Sequence, residues 1–229
     1  MCGRFSFATS KEKLIKSFPD VKIDGTPAPN FNIAPTQHAG VLTNEQPHAL
    51  QDFRWGLIPH WAKNDRIGGK LINARAETVI SKPSFRMPIR KRRCIVVADS
   101  FYEWRTHGKT KIPFRITLRD KKLIALAGIW DYWDSTSGVR IFSFAIITTT
   151  ANKEMSEVHD RMPVILNTKE LQDTWLSDTN MDTTLSLMRP LADNSLEMYR
   201  ISPAVNSVNF NSKECHKPHN PPLTLFDQF

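Results

Sequence analysis

Nowhere in the 229 residues is there an apolar run approaching membrane-spanning length, and no early stretch has the basic, apolar and small-residue layout of a secretory leader. A soluble, cytoplasmic protein is expected. Cysteine is scarce as well: Cys2, Cys94 and Cys215 are odd in number and far apart, which excludes a disulfide framework and leaves no CxxC pair for zinc. Thiol and imidazole gather only in "CHKPHNPP", where Cys215 lies near His216 and His219. Three ligands among prolines near a terminus read as a solvated tail, so neither a metal nor another cofactor is expected. Internal repeats, low-complexity linkers and composition breaks are also missing. With 40% hydrophobic residues, the chain has enough apolar content for one core. The expected organisation is one domain over residues 2–222, followed by a tail at 223–229.

Acidic residues are outnumbered, 23 against 31 lysines and arginines, for a formal net charge of +8, which makes a polyanion the first partner to consider. "RMPIRKRRC" places Arg86, Arg90, Lys91, Arg92 and Arg93 close together, a run that by itself reads as a solvated face. Six tryptophans (Trp55, Trp61, Trp104, Trp130, Trp133 and Trp175) interleave with the basic residues as a single-strand binder requires, although some belong to the core.

Thr9 with Glu12 reads as a capping box, and "KEKLIKSF" sets Leu14, Ile15 and Phe18 on one helical face before Pro19. The proline-rich "TPAPNFNIAPTQ" reads as an ordered loop. "IPFRITLR" alternates Phe114, Ile116 and Leu118 with polar residues, the period of a half-buried strand, whereas "CIVVA", "LIALAGIW" and "IFSFAIITT" are buried-strand runs. "TKELQDTWL" carries an N-cap threonine and a helical stripe, and "LEMYRIS" reads as a late strand. The fold class expected is α+β, a single domain with a strongly curved, barrel-like mixed β core and flanking short helices.

Against this apolar pattern a few polar groups stand out. "MCGRF" puts a cysteine behind the initiator. Removal of Met1 would leave an α-amine and a thiol on Cys2, a pair that condenses with an aldehyde to an imine and then closes a thiazolidine. The same pair suits an N-terminal nucleophile with the amine as base, and on position alone Cys2 reads equally as a small buried hydrophobe. "LINARAET" carries Asn73, Arg75 and Glu77; "DSFYEWR" sets Glu103 between Tyr102 and Trp104; "EVHDRMPVIL" sets His159, Asp160 and Arg161 against an apolar run. A carboxyl between aromatics loses solvation and exchanges protons nearer neutrality. Histidine does so unaided. Either residue alone reads equally well as a satisfied core group.

Taken in order, "MCGRF", "NIAPTQ", "WGLIPHWAK", "INARAET", "FYEW", "AGIWDYW" and "HDRMPVIL" resemble the motifs of the SRAP domain, the SOS-response-associated peptidase family. The resemblance implies a groove for single-stranded DNA and an abasic-site sensor in which Cys2, freed of Met1, forms a slowly reversible thiazolidine crosslink with the ring-opened sugar. It implies Cys2, Asn73, Glu103 and His159 as catalytic residues. Arg4, Arg75 and Arg161 are implied as phosphate or site-ordering arginines, Pro35 and Trp61 as groove residues, and Thr148 as a secondary pocket residue. It also implies suicide-like chemistry with lyase-like and Met1-removing activity. The expected partner is single-stranded DNA containing abasic sites, bound by a monomer that joins the nucleoid when on DNA. Two positions depart from the family pattern, Val97 and Ser100, where a proline and a glycine are usual. Two other readings stand beside this one: a thiol autoprotease or hydrolase pairing Cys2 with His159, and a non-enzymatic single-strand binding module.

Overall fold

The computed structural model describes residues 2–23 and 28–219. In chain order the strands are β1 Phe5–Phe7, β2 Asn30–Ile33, β3 His38–Thr43, β4 Gln51–Trp55, β5 Asn73–Arg75, β6 Arg93–Ala98, β7 Ser100–His107, β8 Thr110–Leu118, β9 Ile124–Asp134, β10 Arg140–Thr150, β11 Arg161–Pro163 and β12 Leu196–Arg200. The helices are short: α1 Lys11–Ser17, α2 Pro88–Lys91, α3 Lys169–Leu176 and α4 Met181–Ser186.

The apolar runs close a barrel. β10 pairs with β4 in parallel, and β4, β3, β6 and β9 follow antiparallel until β9 returns to β10. Closure removes the sheet edge, and every residue of β6 is buried. Gly128 on β9 permits the close approach: a Cβ there would meet Cys94 Sγ at 2.8 Å and the Ala145 carbonyl oxygen at 3.2 Å. β5 and β11 extend the barrel by pairing with β10.

A second, open sheet runs β12-β8-β7-β1-β2. Its apolar face joins the same core, because Phe5 on β1 sets its ring against Trp55 on β4 at 4.9 Å. The α+β class with a barrel-like core is therefore observed. Thr168 caps α3 as the sequence indicates, accepting from the Leu171 amide at 3.3 Å.

Several local readings change. Ser10, not Thr9, caps α1 by accepting from the Lys13 amide at 3.3 Å. Leu14 and Phe18, four residues apart, share the buried stripe, while Ile15, about 100° round the helix, is 45% exposed. Within the proline-rich segment, Asn30–Ile33 is a strand rather than a loop, paired with β1. Its Asn32 side-chain nitrogen donates to the carbonyls of Val205, Ser207 and Phe210 at 3.2, 3.0 and 2.8 Å, contacts that local sequence does not encode. The basic run is not one face either. Arg93 is buried and donates to the carbonyls of Ile89, Arg90, Trp175 and Ser177, and Arg92 pairs with buried Asp131. The expected boundary at 222 and the tail at 223–229 lie outside the described residues.

Candidate active site

β1 and β7 run antiparallel with Phe5 opposite Phe101 and Ser6 opposite Ser100. The pairing continues towards the chain start, since the Tyr102 amide donates to the Arg4 carbonyl at 2.9 Å. Cys2 is thereby carried alongside Glu103 and Trp104. Ser100 contributes directly: its hydroxyl lies 2.5 Å from that of Ser6 and accepts from Arg115 Nε at 2.9 Å. At this departure from the family pattern a buried hydroxyl pins β1 to β7.

Asn73 approaches from the barrel, on β5, and its Nδ2 donates to the Cys2 carbonyl at 2.7 Å. Burial pushes the Cys2 thiol well above its ordinary range, and the Glu103 carboxylate pushes it the same way. Glu103 is 2% exposed, and burial raises its carboxyl above the usual range, partly offset by His159 nearby. His159 is held through Nδ1, which accepts from the Arg161 amide at 3.0 Å and lies 2.8 Å from Asp160 Oδ1. The four residues named as catalytic thus come together from four segments. Glu103 and His159 open onto a cavity of about 410 Å³, also lined by Arg4, Trp104, Thr106, Lys111 and Asn206.

The arginines differ in their availability. Arg4 is buried and donates from Nη1 to Asn32 Oδ1 at 2.8 Å and to the Val205 carbonyl at 2.9 Å, so it orders the cavity wall. Arg161 makes a two-pronged pair with Glu77 at 2.6 and 2.9 Å, and also donates to the Thr148 carbonyl at 2.8 Å. Arg75 is exposed at the end of β5, opposite Thr148 in register. Thr148 is buried, and its hydroxyl, like Asn73 Oδ1, has no hydrogen-bond partner among the described residues. Such unspent buried polar atoms call for an explanation, and a ligand's hydroxyl is one.

Trp61 is 51% exposed but lines a separate cavity of about 390 Å³ with His60, Arg86 and Met87. Pro35 sits half-buried in the turn after β2 and lines neither cavity. In the C-terminal cluster, Cys215 is buried with its thiol donating to the Phe210 carbonyl at 3.4 Å. His216 Nε2 lies 3.1 Å from Ser6 Oγ, and the His219 amide donates to the Arg200 carbonyl at 2.9 Å. Among the described residues no group of three histidine, cysteine or acidic side chains is arranged to hold a metal.

Lys111, Thr106 and Asn206 were not apparent from the sequence. For the first two a signal exists: a turn at Gly108, with φ of 57°, fixes the β7–β8 register and sets Thr106 opposite Lys111. Asn206 is recruited from a distant turn and carries no local signal.

A family model described as SOS response associated peptidase (SRAP) matches residues 1–208. The abasic site processing protein YoqW of Bacillus subtilis is 44% identical over 225 residues, covering 96% of this chain and 100% of that protein. The abasic site processing protein HMCES of Gallus gallus is 30% identical over 263 residues, covering 95% of this chain and 78% of that protein. A crystal structure of a Bacteroides thetaiotaomicron protein superposes with a TM-score of 0.87 at 28% identity, covering 96% of this chain and 100% of that one. With its motifs, fold and relatives in agreement, this chain belongs to the SOS response associated peptidase family.

Proposed function

We propose that this protein captures abasic sites in single-stranded DNA through a thiazolidine formed by Cys2 after loss of Met1. The observation that carries the reading is the convergence of Asn73 on Cys2, of Cys2 on Glu103 and of Glu103 on His159, the last two lining the cavity. The names of the relatives, which process abasic sites, support the substrate.

The steps balance without a cofactor. The neutral Cys2 amine adds to the aldehyde of the ring-opened sugar to give a carbinolamine. Glu103, whose carboxyl burial biases towards the protonated form, gives its proton to the departing hydroxyl, and water leaves to form the iminium. The buried Cys2 thiol then passes its proton to the Glu103 carboxylate as sulfur closes the ring. Glu103 ends as it began, and the sum is aldehyde plus aminothiol giving thiazolidine and water. Asn73 holds the Cys2 carbonyl, and so the reacting amine, in place. His159, at the same cavity, assists protonation when the ring reopens, which makes the crosslink slowly reversible. The net charge of +8 supplies attraction to the DNA backbone.

The test incubates processed and Met1-retaining protein with a single-stranded oligonucleotide bearing one abasic site, followed by denaturation, gel electrophoresis and mass measurement. The processed form should give a heat-stable adduct one water lighter than the sum of its parts. Cys2→Ala should give none, and Cys2→Ser very little. An equal adduct from the Met1-retaining form would overturn the proposal, because an acylated nitrogen cannot form the imine.

A further inference from the structure

The β7–β8 hairpin projects one side of its sheet into the same cavity. Trp104 and Thr106 alternate along β7, and Lys111 lies directly opposite Thr106 on β8, so the three share a face. Arg105, between them, faces the other way, its guanidinium 5.0 Å over the Phe114 ring. Trp104 is not free to rotate, because Nε1 donates to Asn206 Oδ1 at 2.8 Å and the ring packs on the small Tyr102, Ile201 and Val205 cluster. Its remaining surface, with Thr106, Lys111 and Asn206, completes the cavity begun by Arg4, Glu103 and His159.

The charge balance of that cavity points to an anion. Arg4 and Lys111 line it against a single acid, Glu103, and burial disfavours the charged form of that acid. Lys111 is exposed, whereas the Arg4 guanidinium is occupied by Asn32 and Val205. Lys111 is therefore the cation of this wall available to a ligand's phosphate. A fixed indole beside an ammonium group matches the pairing of stacking surface and phosphate contact used on single strands. A volume of about 410 Å³ lies within the range that holds one small ligand or nucleotide-sized unit.

From this geometry we infer that Trp104, Thr106, Lys111 and Asn206 form a subsite for the nucleotide on one side of the abasic residue, with Lys111 on its phosphate and the Trp104 ring against its sugar or base. The inference rests on the functional reading above. Because Thr106 and Lys111 extend the cavity beyond Trp104, towards the hairpin turn and away from Cys2, only one neighbour of the lesion meets them. Trp61 belongs to a different cavity and takes no part.

The experiment measures equilibrium binding by fluorescence anisotropy at low salt. It uses three single-stranded oligonucleotides carrying a tetrahydrofuran residue, an abasic analogue without an aldehyde, at the centre, the 5′ end or the 3′ end. Lys111→Ala should weaken binding about fivefold for the central site and for one terminal site, and leave the other terminal site unchanged. Lys111→Arg should restore most of the loss. Equal weakening of all three would mean that Lys111 acts only through diffuse charge, and no weakening would mean that it makes no contact; either result overturns the subsite. Since the analogue cannot crosslink, absence of an adduct with true abasic DNA would count against the proposed chemistry while leaving this result standing.

Discussion

Asn73 Nδ2 and the Cys2 main-chain carbonyl are joined by a 2.7 Å hydrogen bond that ties the chain start to the barrel. Asn73 sits on β5, in parallel register with Ile146 of β10, so its position is set by the closed barrel. Asn73→Ala removes the donor. Crosslinking at saturating abasic DNA should slow roughly tenfold, the worth of one buried hydrogen bond, while affinity for a tetrahydrofuran oligonucleotide stays near that of the parent. Asn73→Asp keeps the size but replaces the donor with an acceptor, so it should do no better. Wild-type rates from Asn73→Asp would show that this bond does not position Cys2.

Glu103 offers a prediction on stability and rate together. Its folded carboxyl titrates above the usual range because of burial, so the folded state holds a proton that the unfolded chain releases. The corresponding stability is complete below the ordinary carboxylate pKa and is lost as pH rises through the folded value. Glutamine mimics the protonated form. Glu103→Gln should match the parent in acid and exceed it at neutral pH in thermal or urea unfolding, yet form the crosslink about a hundredfold more slowly. Parallel unfolding curves across pH would refute the assigned burial effect, and an unchanged rate would remove Glu103 from proton transfer.

How much of this was legible beforehand follows from the range of the interactions. The runs "CIVVA" and "IFSFAIITT" announce buried strands because each satisfies its own pattern, and Glu103 between aromatics announces its desolvation. The strand Asn30–Ile33 does not, because its partners are Phe5 and Phe7 in β1 and its polar contacts come from residues 205–210. Arg93 looked like one charge in a solvated run, but α2 and the end of α3 turn four carbonyls onto it. The approach of Asn73 to Cys2 requires β5 to pair with β10, a long-range contact that spacing alone does not reveal. Thr106 and Lys111 become neighbours only once the hairpin register is fixed, which the turn at Gly108 does.

Glu77 and Arg161 form a two-pronged ion pair at 2.6 and 2.9 Å, with the Glu77 carboxyl held below its usual range chiefly by the Arg161 hydrogen bond. If Arg161 contacts a DNA phosphate, that phosphate must displace Glu77. Glu77→Gln should therefore tighten single-strand binding about threefold at low salt and steepen the dependence of log affinity on log salt by ~0.7, one phosphate contact. Glu45→Gln, an exposed change of equal charge, controls for net charge and should do less. Indistinguishable effects from the two variants would confine Arg161 to ordering Glu77 and Thr148.

His216 contributes a pH dependence to the fold in acid. Burial, with Arg115 nearby, lowers its pKa from 6.5 to about 4, against the opposing pull of Asp99. The ring is thus neutral near pH 7, and its 3.7 Å approach to Asp99 is a polar contact rather than an ion pair. It touches Ser6 Oγ at 3.1 Å and sets its edge against Phe31 at 5.0 Å, so it braces β1 and β2 from the outside. Because the folded pKa lies below the unfolded one, the unfolded chain takes up a proton first as pH falls. The contribution of His216 is present above pH 6.5 and disappears as pH drops through 4. The slope in that window is at most one proton, about 1.4 kcal/mol per pH unit. His216→Gln removes the titration, so its unfolding midpoint should fall less steeply than that of the parent between pH 6.5 and 4, and the gap between the two should narrow or reverse in acid. Equal slopes for the two proteins would mean that His216 titrates in the folded state as it does in the unfolded chain, and the bracing of β1 would then have to be sought in Asp99 and Arg115 alone.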